Sequence, residues 1–189
     1  TPPRSLLVSG DPLVGKTSFL RLLAGRLKAK QWRVFEASGS DLQAGQLYIG
    51  QLEGRMRQLI GELAVGNRVI WYVPDLLQLA LSGTHQGQSS SMLDQLLPAM
   101  SEGRLLIMTE ATPASVARLL QLRSNLRRVL EVVRLESFDT EQTTGIAKPL
   151  AEGLAKASKL TIAPGFAEAA VEAASHYLGG GSLPGSALS

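Results

Sequence analysis

The chain has 189 residues, of which 44% are hydrophobic and 19% charged, and its mean hydropathy is +0.09. These values exclude a disordered chain and fit about one α/β domain. The net charge of +3 and the pI near 9.4 are only mildly basic, and the absence of cysteine excludes disulfides, thiolate metal sites and cysteine nucleophiles. No apolar run reaches the roughly 18 residues that span a bilayer, and no signal peptide precedes the first strand, so we expect a soluble protein.

Strand and helix patterns alternate through the first two thirds of the chain, which predicts a parallel sheet with helices on both faces. Most of the predicted strands are nearly continuous apolar runs, as expected of strands buried on both faces. The predicted strands are Ser5–Ser9, Arg33–Ala37, Arg68–Val73, Leu105–Thr109 and Val132–Leu135. The predicted helices between them are Thr17–Leu27, an apolar stripe from Leu52 to Leu63, Ser91–Met100 and Pro113–Leu122.

Strand patterns end after about Asp139, and two helices follow, Thr140–Ser158 and Pro164–Leu178. The charge changes at the same point, from +4 over residues 1–139 to −1 over residues 140–189. We therefore predict an α/β core over residues 1–138 and a small helical subdomain over residues 139–189. The second part ends just as a further helix begins, so we expect the chain to be a piece of a longer protein.

The strongest chemical motif is GDPLVGKT, which fits the phosphate-binding pattern G-x-x-x-x-G-K-[ST] between a buried strand and a helix. Its backbone N–H groups and the helix N-terminus suit a triphosphate, while Lys16 would reach the β and γ phosphates and Thr17 would ligate Mg²⁺. The alternative is an ordinary turn between strand and helix. The predicted nucleotide-binding residues are Gly10, Asp11, Pro12, Leu13, Val14, Gly15, Lys16, Thr17 and Ser18. Leu13 tolerates a positive φ poorly, so a loop that needs one there must be reshaped at some cost.

Several segments together resemble the first ATPase module of Clp-type AAA+ unfoldases and disaggregases. In chain order they are GDPLVGKTSFLRLLAGRL, DLQAGQLYIGQLEGRMRQLI, VIWYVPDLLQLALSG, MLDQLLPAMSEGRLLIMTEAT, NLRRVLEVV and HYLGGGSLPGSAL. The resemblance covers nearly the whole chain. It implies a P-loop AAA+ fold, a three-layer α/β core followed by an incomplete helical lid. It also implies that the protein binds ATP or ADP with Mg²⁺, forms a hexameric ring in the cytoplasm and acts on polypeptide substrates. A protease or an adaptor is a further partner that the resemblance allows.

The catalytic carboxylates of this family, an Asp followed by a Glu, correspond here to Pro74 and Asp75. Pro74 has no acid group, and Asp75 alone would have to support both the metal and the attacking water. Glu110, at the end of the next strand, is either a substitute carboxylate or a solvated strand-end charge; we favour the solvated charge. The γ-phosphate sensor of the family corresponds to Ala111.

The paired arginines that reach the neighbouring subunit's γ-phosphate in this family correspond to Arg127 and Arg128. The alternative for these two is a solvated basic turn. Tyr48, Ile49 and Gly50 resemble the aromatic pore loop that grips a threaded polypeptide, within a predicted loop over Gly39–Gln51. A Tyr packed against its own loop is the alternative there.

The sequence thus supports an ATP-hydrolysing protein-remodelling module, with two alternatives. The first is a module that binds nucleotide but hydrolyses it slowly or not at all, because its carboxylate pair is incomplete. The second is a nucleic-acid-remodelling ATPase, suggested by the basic residues between Arg118 and Arg134 but disfavoured because no aromatic residues alternate with them.

Overall fold

A computed structural model describes residues 2–43, 49–64, 66, 68–82, 91–178 and 181–188, with only the backbone at residues 43 and 49–53. Its centre is a five-stranded sheet in the order β2-β3-β4-β1-β5, in which all neighbouring strands are parallel. The strands are β1 Ser5–Ser9, β2 Arg33–Glu36, β3 Val69–Val73, β4 Ile107–Ala111 and β5 Leu130–Arg134. The predicted α/β fold with a parallel sheet is confirmed.

Helices connect the strands, as parallel pairing requires. They are α1 Lys16–Ala29, α2 Gly39–Gln43, α3 Ile49–Glu62, α4 Leu76–Leu81, α5 Met92–Ser101, α6 Pro113–Leu122, α7 Leu126–Val129, α8 Thr140–Ser158, α9 Phe166–Tyr177 and α10 Gly185–Leu188. Helices α6 and α8 have the predicted bounds. The predicted loop over Gly39–Gln51 is wrong at both ends, because α2 occupies its start and α3 already begins at Ile49.

Two strands begin two residues away from their predicted start: β5 begins at Leu130 instead of Val132, and β4 is displaced for a local reason. Strand β4 was expected over Leu105–Thr109 but covers Ile107–Ala111, two residues later. Leu105 instead forms an isolated antiparallel bridge with Ala64, and its N–H donates to the Ala99 carbonyl at the end of α5. The shift brings Glu110 into the strand itself, where it pairs with Val8 of β1.

The chain divides into two compact units. The first comprises residues 1–9 and 17–134, and the second comprises residues 10–16 and 135–189. The core of the first unit surrounds fully buried Trp71, whose indole N–H donates to the Ala37 carbonyl at 3.0 Å. A smaller core in the second unit packs Ala147, Ala167 and Val171 against apolar residues near the C-terminus. The phosphate-binding loop thus groups with the helical residues rather than with the sheet.

None of the helices in the described residues is long and apolar enough to cross a membrane.

Candidate nucleotide site

The backbone of the loop Gly10–Lys16 depends on glycine at positions 10 and 15. Gly15 has φ of 98°, and Leu13 has φ of 66°, a conformation that a leucine adopts at a cost of about 1–2 kcal/mol. Leu13 thus adopts the positive φ that leucine tolerates poorly. The Val14 N–H donates to the Asp11 carbonyl at 3.4 Å, and the Lys16 amine donates to the same carbonyl at 2.8 Å. Lys16 thus lies along its own loop, with an ammonium that can exchange this carbonyl for a phosphate.

The C-terminal segment, residues 181–188, packs directly on this loop. The Ser182 N–H donates to the Pro12 carbonyl at 3.1 Å, and the Gly185 N–H donates to the Leu13 carbonyl at 2.9 Å. A Cβ at Gly185 would lie 2.8 Å from the Leu13 Cβ and closer still to the Leu13 carbonyl oxygen. Only glycine at position 185 permits this approach. The absence of a side chain at Gly185 therefore makes room for the backbone of the strained Leu13.

In the first unit, Glu110 is bound by two hydroxyl groups at the carboxyl end of β4. The Thr17 hydroxyl at the start of α1 contacts its two carboxylate oxygens at 2.8 and 2.9 Å. The Tyr72 hydroxyl on β3 donates to the Oε1 atom at 2.8 Å. Glu110 is half-buried, so the favoured expectation of a solvated strand-end charge is wrong.

The environment of Tyr72 shows how protected this cluster is. Burial of the phenol, which is 9% exposed, and its hydrogen bond to Glu110 together raise the pKa of Tyr72 far above its ordinary value. Tyr72 therefore remains a neutral hydrogen-bond donor over the whole physiological range. It holds one side of the Glu110 carboxylate while the side chain of Thr17 contacts both oxygens.

The predicted catalytic carboxylate, Asp75, has a structural contact of its own. It is the N-cap of α4, and its Oδ1 accepts hydrogen bonds from the N–H groups of Leu77 at 2.9 Å and Gln78 at 3.2 Å. The side chain is exposed. The Oδ2 atom of Asp75 takes part in neither of these two hydrogen bonds. A role of Asp75 in metal support or water activation stays a prediction.

The remaining predicted residues are distributed around the fold. Arg127 and Arg128 lie exposed on α7, and within the described residues neither guanidinium has a hydrogen bond or ion pair. Ser18 is exposed on α1, and Ala111 is half-buried at the end of β4. Tyr48 lies outside the described residues, and Ile49 and Gly50 are described only as the backbone that begins α3.

A hydroxyl and a carboxylate are the oxygen ligands that Mg²⁺ takes from proteins, which it binds through one or two carboxylates plus substrate phosphates. Thr17 and Glu110 supply this donor set in contact with each other. No group of three or more His, Cys, Asp or Glu side chains suited to a metal occurs within the described ranges. The residues therefore fit an ion that arrives with a nucleotide better than a metal held by the protein alone.

Sequence reasoning named Glu110 but expected a solvated charge, and it did not name Tyr72, whose hydroxyl binds the Glu110 carboxylate. The available signal was an acidic residue directly after a buried apolar run, the same position that the family uses one strand earlier. What could not be read from the chain was the strand order, which places β4 between β1 and β3.

Comparisons with known proteins agree with this geometry. The model of the AAA family, "ATPase family associated with various cellular activities", matches residues 6–134. Chaperone protein ClpB of Aquifex aeolicus is 27% identical over 95% of the chain, which covers 18% of that protein. The ATP-binding subunit ClpC of the Clp protease from Staphylococcus aureus (strain USA300) is 25% identical over 95% of the chain and is covered to 23%.

Solved structures agree at the level of the fold. The Hsp104:casein complex of S. cerevisiae, in its extended conformation, superimposes with a TM-score of 0.81 at 20% identity. The match covers 97% of this chain and 32% of that one. The chain thus spans about a fifth to a third of the proteins it resembles. The family model matches most of the chain, including the loop Gly10–Lys16, so the chain belongs to the AAA family of ATPases, and over most of its length it is similar to Clp proteins.

Proposed function

We propose that this chain binds ATP and ADP with Mg²⁺ and serves as one nucleotide-driven module of a ring-forming, protein-remodelling machine. The observation that carries the proposal is the loop Gly10–Lys16, placed between β1 and α1 with Lys16 at the helix start. The family match includes this loop. In such a loop the backbone N–H groups and the helix N-terminus stabilise phosphate charge without any change in fold.

Each residue has a distinct task in this proposal. Lys16 neutralises the β and γ phosphates, for which it gives up its hydrogen bond to the Asp11 carbonyl. Thr17 offers its hydroxyl to the Mg²⁺ that accompanies the nucleotide. The ion itself supplies charge neutralisation for the transferred phosphoryl group. Arg127 and Arg128 are exposed and are proposed to act on the nucleotide of a neighbouring subunit.

The decisive test is the affinity for ADP and ATP of Lys16→Ala beside the wild-type chain, measured by calorimetry. We expect measurable binding by the wild type and none by Lys16→Ala. Lys28→Ala, which removes an exposed lysine near the end of the same helix, is the matched control and should bind as the wild type does. Unchanged binding in Lys16→Ala would contradict the assignment of the phosphate-binding loop.

A second candidate function is a module that binds nucleotide and stabilises a ring but turns ATP over slowly or not at all. Two observations favour it: Pro74 has no carboxylate, and Asp75 already caps α4. Steady-state ATPase measurements on the wild type, Asp75→Asn and Pro74→Asp separate the two candidates. Brisk wild-type turnover that Asp75→Asn removes would exclude the second one, whereas a near-zero rate that Pro74→Asp raises would support it.

The ring, the threaded polypeptide and a protease or adaptor partner belong to the same proposal, as does a cytoplasmic location. Their support is the likeness to ClpB and ClpC and the exposed arginines of α7. The proposed pore-loop residues Tyr48, Ile49 and Gly50 are tested by crosslinking. A photoreactive residue at position 48 should label an unfolded model polypeptide in the presence of ATP and not in its absence.

A further inference from the structure

The metal-supporting carboxylate that Clp-type modules carry at the end of the third strand is missing at Pro74, and the sheet register shows what stands beside that position. Strand β3 pairs in parallel with β4 so that Val73 lies opposite Thr109. Continuing the register by one residue places Pro74 next to Glu110. Neighbouring parallel strands lie about 4.8 Å apart, and residues in register point to the same face of the sheet. The position beside Pro74, which has no carboxylate, is thus occupied by a glutamate on the next strand.

The length of the Glu110 side chain offsets part of the distance between β4 and the end of β3. Glutamate is one methylene longer than aspartate, and β4 is the strand that pairs directly with β1, which leads into the phosphate loop. In that pairing Glu110 lies opposite Val8. The Glu110 carboxylate reaches the hydroxyl of Thr17, so it already contacts the side chain that the loop motif offers to Mg²⁺.

The contact distances also suit a shared ion. The Thr17 oxygen lies 2.8 and 2.9 Å from the two Glu110 oxygens. In an octahedral Mg²⁺ site with oxygen ligands at about 2.0–2.1 Å, adjacent ligands are about 3 Å apart. These are ordinary hydrogen-bond distances, and they also allow the two side chains to serve as neighbouring ligands of one ion once the hydroxyl proton turns away from the carboxylate.

We propose that Glu110 has taken over the metal-supporting role from the position of Pro74 and binds the nucleotide's Mg²⁺ beside the Thr17 hydroxyl, with Tyr72 as its positioning residue. The inference rests on the proposed nucleotide binding and adds one residue to it. With Glu110 supporting the ion, Asp75 no longer has to serve both the metal and the attacking water.

The test measures how much Mg²⁺ contributes to nucleotide affinity, independently of turnover. A fluorescent ATP analogue is titrated into the full chain with Mg²⁺ and again with EDTA. The Kd in EDTA divided by the Kd in Mg²⁺, here called the Mg²⁺ ratio, is then compared between variants. In Glu110→Gln, which keeps an oxygen for Thr17 and Tyr72, we expect the ratio to fall at least about tenfold while the Kd in EDTA stays unchanged. Bound Mn²⁺, observed by electron paramagnetic resonance, should show the same loss.

Controls separate charge, position and fold. Glu131→Gln removes an exposed carboxylate from β5, the other neighbour of β1, and should leave the Mg²⁺ ratio as in the wild type. Tyr72→Phe should lower the ratio by less than Glu110→Gln, since it frees one carboxylate oxygen without removing the charge. Adding Pro74→Asp to Glu110→Gln restores a carboxylate at the neighbouring register position and should recover much of the ratio.

The outcomes distinguish this inference from the function on which it rests. If the wild type binds no nucleotide in either buffer, the proposed function fails. If it binds but Glu110→Gln retains or improves the wild-type Mg²⁺ ratio, the function stands and the role of Glu110 is overturned. Transfer of the effect to Asp75→Asn would overturn it in the same way.

Discussion

The strained residue Leu13 contacts Gly185, which has no side chain to obstruct the approach of the two backbones. Leu13 has φ of 66°, and its carbonyl accepts the Gly185 N–H at 2.9 Å. In Gly185→Ala the new Cβ would press on backbone atoms of the phosphate loop, which cannot move without breaking this hydrogen bond. We expect a loss of about 1–3 kcal/mol in stability and weaker ADP binding, measured by denaturant titration and calorimetry.

Gly181→Ala is the comparison variant for this contact. Its Cβ would meet the end of the Leu13 side chain, which can rotate away, so the cost should stay below about 1 kcal/mol. Adding Leu13→Ala should rescue Gly181→Ala but not Gly185→Ala, because only the second clash involves the backbone. Equal rescue of both variants would show that the approach of Gly185 to the loop is not as close as described.

The link between α5 and the end of α6 depends on one partly buried ion pair. The Arg123 guanidinium binds both carboxylate oxygens of Asp94 at 2.6 and 2.7 Å, and Ser91 caps α5 in a capping box with Asp94. Burial alone would raise the pKa of Asp94, but the hydrogen bonds from Arg123 and Ser91 outweigh it and hold the pKa below its usual value. A depressed carboxyl pKa stabilises the folded state above the unfolded pKa of about 3.9.

Asp94→Asn should therefore lower the free energy of unfolding by about 1–3 kcal/mol at neutral pH. The difference from the wild type should shrink as the pH falls below about 4, because the Asp94 carboxyl is protonated first in the unfolded state and only at lower pH in the folded state. Urea denaturation at neutral pH and near pH 3 checks both statements. Glu102→Gln, which breaks the exposed pair with Arg104, is the control and should change little at either pH. A pH-independent difference for Asp94→Asn would exclude the charge as its cause.

Elements were predictable from the sequence where local chemistry decides them. Pro113 after the capping Thr112 defines α6, and the Asp139–Gln142 capping box begins α8 at its predicted residue. Helices α2 and α4 were missed because five or six residues carry too little periodicity. Likewise, the hydrogen bonds between Glu110 and Thr17 join residues 93 positions apart and depend on the strand order, which no local pattern encodes.

At the scale of the whole molecule, the exposed arginines of α7 make it possible to test whether the nucleotide site is self-contained or completed by a neighbouring subunit. Arg127 and Arg128 lie on a short helix whose apolar residues, Leu126 and Val129, are buried, so both guanidinium groups are directed away from the core. In a ring, each subunit would offer these arginines to the next subunit's nucleotide. Arg127→Ala and Arg128→Ala should then keep the wild-type Tm and ADP affinity while lowering ATP turnover by about 10³ or more.

If the protein forms the proposed ring, mixing two variants that are each expected to be inactive tests this directly. Lys16→Ala is expected not to bind nucleotide but retains its arginines, whereas Arg127→Ala is expected to bind nucleotide but lacks one arginine. In a mixed ring, some Arg127→Ala subunits would receive an intact arginine from a Lys16→Ala neighbour, so part of the ATPase activity should return. Turnover that stays at the level of the separate variants, although sedimentation shows mixed assemblies, would place the arginines outside the neighbour's site. Recovery would instead require that hydrolysis occurs at the boundary between two copies of this module.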